Sequence, residues 1–455
     1  MMVKKQGIDM TRGSPGKLIL RFAVPMILGN VVQQLYSAVD SAVVGRYVGK
    51  NALAAVGATQ SVLMLIICLI IGLTMGVCII MAQDFGAGRE EEVRHTAGTA
   101  LYISFGTWLF IAALGWLISG PVLALLGTPA EIAADAKCYL IINTATSLAP
   151  IAYNMTANIM RAMGDSKSPL YSVICSSVLN VILDLVFVIQ FNWGVAGVAW
   201  ATALSQVASC GINLMRIRLV HPILRLGRED LRLRPAGIVR IVRVGLPMAL
   251  QNAVESIGML GVQGVVNSCG TNTIAAFTAA GKIDQIALFP LSSLGMSVST
   301  YVGQNYGKGN EKRIRKGVRA GVAQSVAIGT ALTAVIFSTR HLLVGIFVSA
   351  KETEVLAIAA EYLGTVSLFY AVAGVMFVYL NAFRGMGNMT VSTAGSCLNP
   401  LLKFAAAALF VRLFGRDGIW FAWPVGWAAS LALSLLFYHR RRAQGNAKEK
   451  ENLYD

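Results

Sequence analysis

The chain has 455 residues, of which 56% are hydrophobic and only 13% charged, with a mean hydropathy of +0.64. Soluble globular chains carry about 25% charged residues, so water is not this chain's solvent, and its continuous rather than alternating apolar runs disfavour a closed β-barrel. The formal net charge of +16 sits in the breaks between apolar runs rather than on a face with stacking aromatics. That placement argues against nucleic acid as a partner and for the cation bias of cytoplasmic loops.

A polar, basic start over residues 1–16 leads directly into the first apolar run, so no cleavable signal peptide is expected and the first helix reads as a signal anchor. A span of the hydrocarbon core takes roughly 20 residues. The apolar runs predict spans at 22–45, 53–82, 95–119, 132–159, 169–190, 194–219, 237–267, 275–304, 317–338, 354–381, 391–412 and 418–439. The fold class expected is all-α integral membrane, with twelve transmembrane helices. With the N-terminus inside, 29 of the 38 Lys and Arg fall on the cytoplasmic side and seven on the other, Lys282 and Lys403 staying within spans. Both termini are therefore expected in the cytoplasm. Arg384 is among the cations read as cytoplasmic.

The longest polar connection, Arg216 to Arg243, divides the chain into two sets of six helices that read as copies. The stretch Gln83-Asp84-Phe85-Gly86-Ala87-Gly88 returns as Gln304-Asn305-Tyr306-Gly307-Lys308-Gly309, and Arg161-Ala162-Met163-Gly164-Asp165 as Arg384-Gly385-Met386-Gly387-Asn388, at offsets of 221 and 223. Val24-Pro25-Met26 matches Leu246-Pro247-Met248 and Leu53-Ala54-Ala55 matches Ile274-Ala275-Ala276, again at 222 and 221. An even number of spans per copy relates the two by a pseudo-two-fold along the membrane normal, an arrangement used by transporters. The divisions read from sequence are 1–219, a linker over 220–236, 237–441 and a tail over 442–455. The Gly-x-Gly turns lack the Lys-Ser/Thr ending of a phosphate loop and read as tight interhelical turns.

Of 22 acidic residues only Asp40, Asp184, Glu255 and Asp284 fall well within apolar runs. A carboxylate at membrane depth costs about 3 kcal/mol or more unless it is protonated, paired or hydrated, so such acids often mark ion pathways. Asn180 and Asp184 are four apart and share a helix face. With Asp40, Asn154 and Thr202 they would form an all-oxygen pocket if the helices of the first half face one another. Oxygen ligands suit a shared proton or a hard cation. The second copy places Lys403 opposite Asp184, which confines the carboxylate pair to the first copy. Glu255 and Asp284 are candidates for attracting a cationic substrate, Asp284 equally for a structural ion pair with Lys403. Tyr370, with Met376 and other methionines, is a candidate for an adaptable apolar wall. Pro25 and Pro247 lie inside the first helix of each copy, as a static kink or a hinge. Seven scattered cysteines without paired spacing indicate neither disulfides nor a zinc site.

The repeated motifs, Pro25 with Asp40, the Asn180 and Asp184 pair, and Ala275-Ala276-Phe277 leading to Ile283-Asp284-Gln285 together resemble the multidrug and toxic compound extrusion (MATE) family, in the multidrug/oligosaccharidyl-lipid/polysaccharide flippase superfamily. The resemblance runs over nearly the whole chain. It implies two six-helix lobes forming a V that export amphipathic, mostly cationic drugs by antiport with H+ or Na+, without a cofactor. The coupling pocket it implies is Asp40, Asn154, Asn180, Asp184 and Thr202, supported by Gln33, Tyr36 and Pro25, with Na+ at Asp40, Asn180 and Asp184. Glu255 remains an alternative site in the second lobe. A monomer in the lipid of a bacterial inner membrane is expected, and no enzyme. A flippase of lipid-linked saccharides is the competing reading, and a membrane-embedded enzyme a remote one, because His95, His221, His341 and His439 lie far apart in sequence.

Overall fold

A computed structural model of the chain describes residues 7–48 and 50–451, so Lys4, Lys5 and the end of the tail lie outside the described residues. Every long element in it is a helix: α1 (Pro15–Val43), α2 (Lys50–Gly86), α3 (Glu90–Leu125), α4 (Ala130–Ala145), α5 (Leu148–Ala162), α6 (Lys167–Leu185) and α7 (Gly194–Val220) in the first half. The second half has α8 (Pro235–Asn267), α9 (Thr271–Gly307), α10 (Glu311–Gly345), α11 (Thr353–Ser367), α12 (Tyr370–Gly385), α13 (Met389–Phe414) and α14 (Ala422–Glu451). The protein is a multi-pass membrane protein. Among the described residues nine helices are long and apolar enough to cross a membrane alone, and α11 with α12 forms a further, bent span. The pair α4 and α5, together with α8, completes the expected twelve. Polar residues such as Gln251, Asn252 and Glu255 interrupt the apolar character of α8. Large apolar side chains such as Leu35, Phe110, Trp116, Leu342 and Leu413 are exposed, as a lipid-facing surface requires.

The fourth and tenth spans are each broken in two, which the apolar runs do not reveal. At the first break Pro150 follows Thr146 by four residues, so its ring opposes the Thr146 carbonyl and its missing N–H interrupts the ladder. At the second, Thr333 Oγ1 of α10 donates to the Ser367 carbonyl, and α11 and α12 meet at 51°. The equivalent position is broken in both copies, with a proline beside it in one and a hydroxyl from another helix on its carbonyl in the other.

The repeated turns are likewise built alike. Gly88 and Gly309 have φ of +72° and +71°, and Gly164 and Gly387 have +81° and +74°, left-handed values that a Cβ would strain. The amides of Arg89 and Asn310 close these turns on the carbonyls of Asp84 and Asn305 at 3.0 and 2.9 Å. Asp84, fully buried, accepts two bonds from Arg240 at 2.8 and 3.1 Å and lies 3.2 Å from Arg89. In the second copy Asn305 accepts instead from Arg313 at 3.0 Å.

The compact units divide the chain within helices rather than at the 220–236 connection. The first comprises residues 7–12 and Val24–Leu250, the second Gly13–Ala23 and residues 251–451. The first half of α8 stays with the first unit because Arg240 is held by Asp84 and because glycines let α8 touch α2. A Cβ on Gly72 would lie 2.4 Å from the Ala249 nitrogen, the close approach that small residues permit. The start of α1 goes with the second unit because Gln324 and Arg313 donate to the carbonyls of Gly16 and Gly13 at 2.8 and 3.0 Å. The first unit packs around Leu73, Val77, Met81, Met155 and Met160, so these last two methionines are core residues. The second packs around Phe277, Tyr362, Trp420 and Trp423, with Tyr362 5.1 Å from Trp420 between ring centres. Helix α14 continues to Glu451, through most of the segment read as a tail.

Outside the spans, the turn between α5 and α6 is locked by Asp165. Its carboxylate accepts from Ser168 Oγ at 2.6 Å and from the Ser168 and Lys167 amides at 3.0 and 3.1 Å, and it meets His221 Nε2 at 3.3 Å. Burial pushes this carboxyl up, but the bonds from His221 and Ser168 outweigh it and hold it below the usual carboxylate value. Its stabilisation is thus present above the ordinary carboxylate pKa of about 3.9 and is lost as the pH falls through the lowered one. In thermal melts at pH 7, Asp165→Ala should cost about 1–3 kcal/mol, and the gap from wild type should shrink below about pH 4. A gap unchanged down to pH 3 would contradict this reading.

Candidate functional site

In the first unit, α1 and α6 carry the intramembrane acids near their ends, and each runs on into a single π-helical turn, Val44–Val48 and Val186–Gln190. Such widened turns recur at functional positions. The two turns pack on each other, with Val44 and Val188 in one buried cluster. That contact brings the helix ends together, and the carboxyls of Asp40 and Asp184 act on each other electrostatically, as both do on the hydroxyls of Tyr36 and Tyr139. Asp184 is fully buried and Asn180, one turn earlier, nearly so. Both oxygens of Asp184, Oδ1 of Asp40 and both amide atoms of Asn180 are buried without a hydrogen-bond partner among the described residues.

Buried polar groups in folded proteins are almost always satisfied. Five buried side-chain atoms without a partner among the described residues thus gather on Asp40, Asn180 and Asp184. Beside them is a cavity of about 20 Å³ lined by Gln33, Tyr36, Tyr153, Asn180, Ser205 and Gln206. It has room for about one water-sized occupant.

Gln33, Tyr36 and Asn180 line this cavity, and Tyr36 ties it electrostatically to Asp40 and Asp184; neither these two acids nor Asn154 and Thr202 line it. The Asn154 amide donates to the Pro150 carbonyl at 2.9 Å, and its neighbour Tyr153, about 100° round the helix, faces the cavity instead. Ser205 and Gln206 line it from α7, one turn along from Thr202. Gln206, an amide four residues from Thr202 within an apolar run, was a readable signal; Tyr139 and Tyr153 carried none beyond being aromatic. Pro25 stands 15 residues before Asp40 in α1, far from the cavity.

The second unit holds a larger cavity of about 280 Å³. Glu255 lines it and meets Lys403 Nζ at 3.2 Å and Asn399 Nδ2 at 3.4 Å. The expected ion pair of Asp284 with Lys403 is not formed. Asp284 accepts instead from Tyr370 at 2.8 Å and Tyr362 at 3.4 Å, because α9 turns it toward the α11–α12 break while Lys403 faces α8. Tyr370 is thereby fully buried and is not a wall of the cavity. Arg384, read from sequence as a loop cation, stands in α12 and lines the cavity. Among the described residues no group of three His, Cys, Asp or Glu could hold a metal ion. His95 and His221 sit on separate acids, Glu91 and Asp165.

The chain is 29% identical over 435 residues to "Probable multidrug resistance protein YpnP" of Bacillus subtilis (strain 168), covering 95% of this chain and 97% of that one. It is 27% identical over 442 residues to "Probable multidrug resistance protein NorM" of Thermotoga maritima, covering 93% and 92%. A solved outward-facing multidrug resistance MATE family transporter of the MOP superfamily superposes with a TM-score of 0.90 at 24% identity, covering 96% and 98%. The MatE family matches residues 25–186 and again residues 247–408, an offset of 222 that reproduces the internal repeat. Matched twice over most of its length, the chain belongs to the MatE family.

Proposed function

We propose that the protein is a secondary multidrug exporter that antiports amphipathic organic compounds, cations among them, against H+ or Na+ by alternating access. The observation that carries this reading is the carboxyl pair of Asp40 and Asp184 with Asn180: Asp184 and Asn180 are buried, Asp40 is half-buried, and Asp40 Oδ1, both Asp184 oxygens and both Asn180 amide atoms have no hydrogen-bond partner among the described residues. Two carboxylates in a dry site repel each other, and a shared proton or a bound hard cation relieves that repulsion. A site that must be occupied from one side of the membrane and emptied to the other is what an antiporter needs.

Asp40 and Asp184 take the coupling ion, Asn180 supplies its amide oxygen, and Tyr36, Gln33 and Gln206 bound the small cavity beside them. Asn154 and Thr202 act through the helices that hold this wall. The relatives named for multidrug resistance support organic drugs as the cargo. Pro25 and Pro247 lie close to the points where α1 and α8 pass from one compact unit to the other, where a missing backbone bond suits a hinge. A monomer in the bacterial plasma membrane with both termini cytoplasmic completes the reading.

Two experiments test it. In proteoliposomes, ethidium efflux should follow an imposed proton or sodium gradient, and Asp40→Asn or Asp184→Asn should reduce it to the level of empty vesicles. Efflux retained in both variants would remove the carboxyl pair from coupling, and no efflux under either gradient would favour a lipid-linked saccharide flippase. Asn180→Leu separates site from scaffold. Replacing an unsatisfied amide, whose burial costs about 1–3 kcal/mol, should leave the melting temperature equal or higher while gradient-driven efflux is lost. A lowered melting temperature would make the amide a structural group.

A further inference from the structure

The second unit's cavity differs in polarity from the site in the first. Lys403, 5% exposed, stands on α13 four residues after Asn399, at the position that aligns with Asp184 in the first copy. It is paired with Glu255 at 3.2 Å, and its ammonium lies 5.6 Å from the ring centre of Trp423. Arg384 is held by neutral oxygens alone: Ser392 Oγ at 3.1 Å, Gln251 Oε1 at 2.7 Å, Ser396 Oγ at 3.2 Å and, more weakly, Asn381 Oδ1 at 3.5 Å. No carboxylate among the described residues forms an ion pair with it.

The walls of the cavity therefore carry two cations and one carboxylate. The remaining acid nearby, Asp284, is buried behind the cavity and satisfied by the hydroxyls of Tyr370 and Tyr362. A guanidinium fixed in place by neutral oxygens keeps its full charge, and a low-dielectric surround makes that charge attract an anion strongly. Burying it uncompensated is expensive unless something else brings the countercharge.

The space fits such a ligand. About 280 Å³ accommodates a small drug-sized molecule, and the apolar wall is aromatic and soft, formed by Trp423, Trp427, Met376 and Phe377. Glu255 is 47% exposed, so the cavity is open rather than sealed. We infer that this cavity binds the acidic group of an amphipathic organic anion, with Arg384 and Lys403 as its recognition pair and the ligand's apolar body against Trp423 and Trp427.

Glu255 acts as an internal stand-in for the ligand. It neutralises Lys403 while the cavity is empty and gives way to the anion. The protein thus has an acidic site for cations in its first unit and a basic one for organic acids in its second, and its cargo extends to compounds bearing a carboxylate.

Binding to purified protein in detergent needs no ion gradient, so its failure would leave the coupling site of the first unit untouched. The probes are 1-pyrenebutyrate, 1-pyrenebutanol and 1-pyrenebutylamine, which share one apolar body and differ in charge, read by quenching of tryptophan fluorescence. Wild type should bind the butyrate about tenfold more tightly than the butanol, as one charge-assisted contact supplies. Arg384→Gln and Lys403→Gln should abolish that preference, while Arg384→Lys and the exposed-loop variant Lys351→Gln keep it. Lys403→Gln should also favour the amine, since it frees Glu255, a reversal that a merely structural lysine would not produce. If Arg384→Gln fails to fold, Arg384→Lys and Lys403→Gln carry the test. Equal affinity for the three probes in wild type, a wild-type preference for the amine, or a butyrate preference that survives Lys403→Gln would overturn the inference.

Discussion

A charge at membrane depth must be paired, hydrated or neutralised, because hydrocarbon offers it nothing. This constraint organises the protein. Buried at the end of α2, Asp84 is paired by two arginines that bind α2, the following turn and the first half of α8. At Asp284 two tyrosine hydroxyls meet the constraint within the second unit's aromatic core. Asp40 Oδ1 and both oxygens of Asp184 have no hydrogen-bond partner among the described residues, and it is there that we propose the coupling ion binds.

Duplication explains why the two units resemble each other in backbone and differ in charge. Left-handed glycines close the equivalent turns in both, and the equivalent span is broken in both. The backbone solution is kept because a tight interhelical turn admits few residues. Side chains facing the interior are freer to diverge: an acid in one copy is Lys403 in the other, and Asp84 has become Asn305 with its own arginine. One architecture thereby presents two interiors of opposite polarity.

Much of this is legible in the sequence. Apolar runs give the spans because their length is set by the bilayer, and the repeat shows because the turn motifs must be near-identical. Asp40, Asn180 and Asp184 stand out because acids and amides are rare in such runs. What escapes is whatever depends on a distant partner. Pro150 could have announced the break between α4 and α5, but no proline stands at the α11–α12 break, where Thr333 of another helix donates to the Ser367 carbonyl. The sequence offered Asp284 as the partner of Lys403, and only the packing of α8 against α13 gives it Glu255 instead. Arg384 looked like a loop cation because it borders the Gly385 turn, yet its guanidinium points among α8, α12 and α13. The division of α1 and α8 between the units is likewise a matter of tertiary packing.

On the function proposed, Asp40 and Asp184 hold an ion that the cargo displaces. The most direct test of this is cation release from purified protein on addition of tetraphenylphosphonium, followed with a pH indicator in weakly buffered detergent and with radioactive sodium in a parallel sample. Wild type should release a proton or a sodium ion, and the double variant Asp40→Asn, Asp184→Asn should release neither. Equal release from the double variant, or no release of either ion from wild type that binds the compound, would contradict it.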